Sequence, residues 1–288
     1  MYSPAFDYYR ADSLNEIGDL LRQHPGAKIL AGGHSLIPLL KLRLAAPSAL
    51  VDIGRVTELK GISMVNGSLR IGAMTTHAEI AASPEVRRHA PALAEAAGLV
   101  GDPAVRNRGT IGGNAAHADP ASDLPIALSA LDARFVVLTS SGTQEFAFAD
   151  FCLGMMTTVM GDHDVLMAVD VPVKPAGRRM AYVKFEHPAS RYAVIGVATA
   201  LAVDGQTCTG AAVAIGGLVP RPVRAAAVEH ALVGQQLSDA TIAGAAERVS
   251  MGLGDEILGD LYASADYRKA IAPVYVKRAL AAAVDRAQ

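Results

Sequence analysis

The chain of 288 residues has only two cysteines, Cys152 and Cys208, no tryptophan, and no excess of charge of either sign. One thiol pair, widely separated in sequence, cannot build a four-thiolate zinc site or hold an iron–sulfur cluster by thiolates alone. Lys and Arg number 26 against 28 Asp and Glu, a formal net charge of -2. No basic surplus is left to neutralise a phosphate backbone, so nucleic acid is not an expected partner. Hydrophobic residues make up 51% of the chain, but many are alanine. The longest clean apolar run, residues 192–203, falls short of the roughly 20 residues that cross a bilayer, so no transmembrane segment is expected. The start, MYSPAFDYYRADS, has acidic and aromatic residues where a secretory signal carries basic and then apolar ones, which makes the cytoplasm the expected compartment.

What is present reads as alternating helices and strands. Ser13-Leu14-Asn15-Glu16 has the form of a capping box, with Ile17, Leu20 and Leu21 following at helical spacing. A strand is predicted at 28–31, a tight loop at Gly32-Gly33-His34-Ser35, a helix over 36–44 and a strand at 50–53. Beyond Gly54 a strand at 69–73 precedes a second capping box, Thr76-His77-Ala78-Glu79, and an Ala-rich helix is predicted from Pro84 to about Gly98. A helix starting at Pro125, a hairpin over 135–148 and a strand at 165–171 come next, and Pro172, Pro175 and Gly177 mark a boundary near residue 175. In the last third, strands at 180–186, 192–203 and 208–215 form a three-stranded antiparallel sheet, although apolarity alone leaves a buried helix open at 192–203. Helices at about 225–233, 240–251 and 264–286 complete the chain.

Polar and glycine residues concentrate in Ala31-Gly32-Gly33-His34-Ser35 and in Thr110-Ile111-Gly112-Gly113-Asn114. Lacking a Cβ, glycine lets backbone amides approach a ligand and bind an anion without a formal positive charge. A helix beginning at Leu36 adds its dipole to the first loop. Two such loops suit the two phosphates of a dinucleotide, with Ser35, Thr110 and Asn114 adding side-chain hydrogen bonds. Neither loop matches the spacing of a Rossmann turn or a P-loop, which disfavours those modes of nucleotide binding.

The segments AGGHSLIPLLKLRLAAPSALVDIG, NRGTIGGNAAHADPASDLP and FEHPASRYAVIGVATAL resemble the medium, FAD-binding subunit of molybdenum hydroxylases of the carbon monoxide dehydrogenase and xanthine dehydrogenase family. The resemblance spans the whole chain. It implies an α+β protein: a PCMH-type FAD-binding domain of two α/β subdomains, residues 1–54 and 55–175, then a C-terminal α+β flavoprotein domain, residues 176–288. It also implies that Ala31 to Ser35 and Thr110 to Asn114 hold the FAD pyrophosphate, with Leu36 beside them. Asp123, and with a weaker match Asp119, correspond to acidic positions that meet the flavin's polar groups. Tyr192 matches a tyrosine set against the isoalloxazine, and Leu166 and Lys184 match positions lining the ring.

By the same resemblance, a large partner subunit carries the molybdenum-pterin cofactor and a small one carries two [2Fe–2S] clusters, the whole forming a dimer of heterotrimers. Some relatives hold an added cysteine-ligated [4Fe–4S] cluster in this subunit; with Cys152 and Cys208 as its only cysteines, this chain is not expected to. The expected role is electron transfer from [2Fe–2S] through FAD to an external acceptor, with no catalytic acid, base or metal ligand in this chain. The alternative is a self-sufficient PCMH-type flavin oxidoreductase. The FEHPASRYA segment departs from the carbon monoxide dehydrogenase pattern ahead of Tyr192, which favours an organic substrate for the complex.

Overall fold

The computed structural model describes residues 2–174 and 177–286. The first strand and helix are β1 (Asp7–Arg10) and α1 (Leu14–Gln23), followed by β2 (Lys28–Leu30), α2 (Leu36–Lys41) and β3 (Ala49–Asp52). The Ser13 hydroxyl caps α1 by accepting from the Glu16 amide, while the Glu16 carboxylate reaches one residue past the cap to the Asp12 amide at 2.7 Å. Ile17 and Leu21 from α1 are buried with Val51 and Ile53. The three strands form a parallel sheet in the order β1-β3-β2, with β1 added beyond the predicted elements.

The second sheet begins with β4 (Ile62–Val65) and β5 (Ser68–Gly72). Helices α3 (His77–Ala82), α4 (Pro84–His89), α5 (Pro91–Leu99), α6 (Pro103–Arg106), α7 (Ile111–His117) and α8 (Asp123–Ala130) come before β6 (Arg134–Thr139) and β7 (Gly142–Ala147). A one-turn helix, α9 (Phe148–Phe151), and a small hairpin of β8 (Cys152–Gly154) and β9 (Thr157–Thr158) lead to β10 (Val165–Pro172). The sheet is antiparallel in the order β4-β5-β10-β6-β7. The predicted helix from Pro84 to Gly98 is two helices, because Pro91 lacks an amide hydrogen and disfavours helical geometry at Ala90, which sits at φ -144.

The third sheet consists of β11 (Arg178–Glu186), β12 (Ala193–Asp204), β13 (Thr207–Gly216) and β14 (Val223–Arg224), all antiparallel in that order. It has four strands rather than three. The two-residue β14 pairs with Ala214 and Ile215, and its Arg224 guanidinium binds Glu229 at 2.6 Å and Asp132 at 2.7 Å. Helices α10 (Ala226–Leu232), α11 (Asp239–Ala246) and α12 (Ala265–Val284) cover one face, the chain after α11 tightening into a 3-10 turn at Glu247–Gly252. Helices α5 and α8 cover the other. That double cover explains the unbroken apolar run: residues 193–201 are all buried, on both faces of one strand. The predicted boundary at residue 175 lies outside the described residues.

Candidate functional site

A cleft of about 480 Å³ opens between the parallel sheet and the second sheet's helices. It brings together both glycine segments, Asp123, Leu166 and Tyr192, residues far apart in sequence. The segment from Ala31 to Leu36 follows the end of β2 and lines the cleft throughout. Gly33 sits at φ +76, a conformation that glycine adopts at no steric cost, and the chain then turns into α2. A Cβ on Gly32 would lie 2.2 Å from the Arg108 carbonyl oxygen, so this glycine lets its backbone meet the chain just ahead of Thr110. Among the described residues, the amides of Gly32, Gly33, His34 and Ser35 donate to no protein acceptor, and the Ser35 hydroxyl caps nothing.

The second segment is built differently. Thr110 is the N-cap of α7, so Ile111 to Asn114 are its first turn rather than a loop. Its amides are already used: Ile111 donates to Thr75 O at 3.0 Å, Gly112 to Ala73 O at 2.9 Å, Gly113 to Thr110 Oγ1 at 3.1 Å and Asn114 to Thr110 O at 3.0 Å. The second segment is therefore a helix turn rather than the expected loop, and of the two only the first keeps its backbone amides free of protein acceptors. Thr110, Gly112, Gly113 and Asn114 line the cleft, whereas the Ile111 side chain lies in the hydrophobic core. Asn114 donates to Ser122 Oγ at 3.0 Å, and its buried Oδ1 has no partner.

Asp123 opens α8 and is buried at the cleft's edge. It accepts from the Tyr182 hydroxyl at 2.6 Å and from Lys184 Nζ at 3.1 Å. Burial pushes its carboxyl above the usual range, against the opposing pull of the Lys184 ammonium and the Tyr182 hydrogen bond. The same burial, with the neighbouring carboxylate, drives the Tyr182 phenol well above its ordinary value. Lys184 does not line the cleft. Its side chain is 2% exposed and its ammonium also donates to the Leu99 and Arg191 carbonyls, so it supports the wall from behind. Asp119 is likewise turned to local use, accepting from the Ala121 amide at 2.9 Å, although its charge helps burial raise the Tyr192 phenol.

One buried titratable cleft residue escaped the sequence reading. His77, the first residue of α3, is 3% exposed, lines the cleft, and has a buried Nδ1 without a partner. Burial lowers its pKa to about 4, with His34 and Arg106 adding like charge. In the sequence it stands inside a capping box, where a helix start accounts for the residues around it and gives no sign of the cleft. Cys152 and Cys208 are buried free thiols in two separate cores.

A concave site with a row of free amides, partly apolar walls and many polar side chains suits a nucleotide cofactor, and comparison with known proteins sharpens this. Residues 4–174 match the family described as FAD binding domain in molybdopterin dehydrogenase. Residues 180–283 match the CO dehydrogenase flavoprotein C-terminal domain. The chain belongs to the family of FAD-binding medium subunits of molybdenum hydroxylases, the group that includes the carbon monoxide dehydrogenase medium chains. It is 37% identical over 284 residues to the carbon monoxide dehydrogenase medium chain of Hydrogenophaga pseudoflava, covering 98% of each chain. It is 36% identical over 290 residues to the 6-hydroxypseudooxynicotine dehydrogenase complex subunit alpha of Paenarthrobacter nicotinovorans, covering 100% of this chain and 97% of that one. Among solved structures, it superposes on a chain of the Hydrogenophaga pseudoflava carbon monoxide dehydrogenase lacking the Mo-pyranopterin moiety with a TM-score of 0.95 at 39% identity, covering 100% of both.

The residues present fit FAD. The free amides of the first segment suit a pyrophosphate, and Asn114 Oδ1 and His77 Nδ1 are buried polar atoms still awaiting partners. Among the described residues no helix is long and apolar enough to cross a membrane.

Proposed function

We propose that this chain holds FAD in the cleft and serves as the electron-transfer subunit of a heterotrimeric molybdenum hydroxylase. Electrons arrive from a small subunit bearing two [2Fe–2S] clusters and leave to an external acceptor. Substrate is oxidised on a large molybdenum-pterin subunit, and the assembly is a dimer of heterotrimers. The observation that carries this reading is the row of free amides at Gly32 to Ser35, facing Asn114 across one cleft with Tyr192 on its wall.

When bound, FAD supplies a two-electron store that is filled one electron at a time. This chain's residues bind and orient it. The amides from Gly32 to Ser35 and the start of α2 take the pyrophosphate, Ser35 and Thr110 offer hydroxyls, and Asn114 offers its amide side chain. Leu36 and Leu166 supply apolar wall. Tyr192 packs against the isoalloxazine, and Asp123, held by Tyr182 and Lys184, accepts from the cofactor's polar groups. No side chain need act as a general acid or base, because bond breaking at substrate belongs to the partner.

Three structural units follow from this reading: a small FAD-binding subdomain at 1–54, a larger one at 55–175 and the flavoprotein C-terminal domain at 176–288. The relatives' names span carbon monoxide, a pyridine derivative and glyceraldehyde, so the large subunit sets the substrate. The test is to purify the chain with its partner subunits, denature it and assay released flavin. About one FAD per chain, bleached when an organic substrate is added anaerobically to the complex, is the expected result. A preparation that releases no FAD overturns the proposal, and turnover by this chain alone would favour a self-sufficient oxidoreductase.

A further inference from the structure

The turn between β11 and β12 closes around one imidazole. His187 Nδ1 accepts from the amides of Ala189 at 3.2 Å and Ser190 at 3.3 Å. The His187 amide donates to the Tyr192 carbonyl at 2.8 Å, and its own carbonyl accepts from the Arg191 amide at 2.8 Å. Arg191, directly before Tyr192, is held at φ +60, a conformation a non-glycine residue keeps only where its surroundings over-determine it. Lys184 Nζ completes the restraint with a 2.7 Å hydrogen bond to the Arg191 carbonyl. Tyr192 is 42% exposed and belongs to no hydrophobic core cluster among the described residues, so packing alone does not set its direction.

We propose that His187 is a positioning residue for the cofactor wall: its neutral, Nε2-protonated form folds the turn that presents Tyr192 to the cleft. The inference rests on the reading above, in which Tyr192 packs against the isoalloxazine. Only an unprotonated Nδ1 can accept the two amides; a proton there sets N–H against N–H and opens the turn. The ring packs edge-on against Tyr262, with centroids 4.7 Å apart. The charged groups about the turn are the Glu186–Arg191 ion pair at 3.4 Å, the Lys184 ammonium shared with Asp123, and Asp260, which accepts from the Tyr262 amide.

The experiment uses the flavin-loaded protein in its complex and reads flavin fluorescence, the visible absorption envelope and FAD retention. Tyr192→Ala gives the reference for a lost ring contact. His187→Leu removes the acceptor while filling its space, whereas His187→Asn keeps an acceptor oxygen for the same two amides. His187→Leu should shift the flavin spectrum toward that of Tyr192→Ala and weaken FAD retention on the order of tenfold. His187→Asn should restore the wild-type spectrum. A His187→Leu protein spectrally identical to wild type, with Tyr192→Ala distinct, overturns the role of His187 alone. An unchanged Tyr192→Ala spectrum overturns Tyr192 as a flavin wall, and this inference with it. Should His187→Leu fail to fold, His187→Ala, which removes the acceptor without adding bulk, decides: a wild-type flavin spectrum in that variant refutes the proposal.

Discussion

Two segments that look alike in sequence, Ala31-Gly32-Gly33-His34-Ser35 and Thr110-Ile111-Gly112-Gly113-Asn114, do opposite things with their backbones. The first spends its glycines on a turn and a close approach and leaves its amides free at the cleft. The second spends its amides on Ala73, Thr75 and its own N-cap, and offers side chains instead. Paired glycines therefore mark where two backbones must meet, and only the hydrogen-bond accounting shows which of the two has backbone amides left to offer.

Breaking the contact between Gly32 and the chain just ahead of Thr110 should have the largest effect. Gly32→Val drives a side chain into the Arg108 carbonyl. It is expected to cost more than about 4 kcal/mol, with no flavin-loaded protein recovered, as read by thermal unfolding and FAD content. Asp123→Asn comes next, because it leaves the buried Lys184 ammonium without its charge partner. Its expected cost is about 3 kcal/mol or more by chemical denaturation.

His77 tests the wall shared by both segments. Its folded pKa of about 4 lies below the ordinary 6.5, so the unfolded chain binds its proton more readily. The corresponding stability is whole above pH 6.5, falls between 6.5 and 4, and amounts to about 3 kcal/mol. Denaturation midpoints measured across that window should decline in wild type and flatten in His77→Gln.

The smallest effects separate the segments most finely. Thr110→Ala removes the α7 cap and should cost about 1 kcal/mol of stability. Ser35→Ala should leave stability within about 0.5 kcal/mol yet weaken FAD retention several-fold, because its hydroxyl caps nothing in the protein. Equal behaviour of the two variants would erase the distinction between cradle and helix turn.

Much of this architecture can be read directly from residue pattern. The N-cap at Ser13, the capping box at Thr76 and the strand at 165–171 all rest on local chemistry that sequence displays. The rest depends on contacts formed at a distance. Whether residues 192–203 make a strand or a helix turns on the cover that α8 and α12 supply. β1 and β14 are short strands defined by the partners they find. At the site, Ser35, Asn114 and Tyr192 were legible as polar or aromatic residues in suggestive places. His77 was not, since nothing local says that α3 starts against a cleft. Lys184 matched a ring-lining position, but its strand turns its ammonium inward onto Asp123 and the Arg191 carbonyl.

The most direct test is a structure of the flavin-loaded complex. The account predicts the FAD pyrophosphate within hydrogen-bonding distance of the amides from Gly32 to Ser35, with the isoalloxazine against Tyr192 and the Asn114 side chain alongside. A pyrophosphate bound instead by the backbone of Ile111 to Gly113, or a flavin lying outside this cleft, would contradict it.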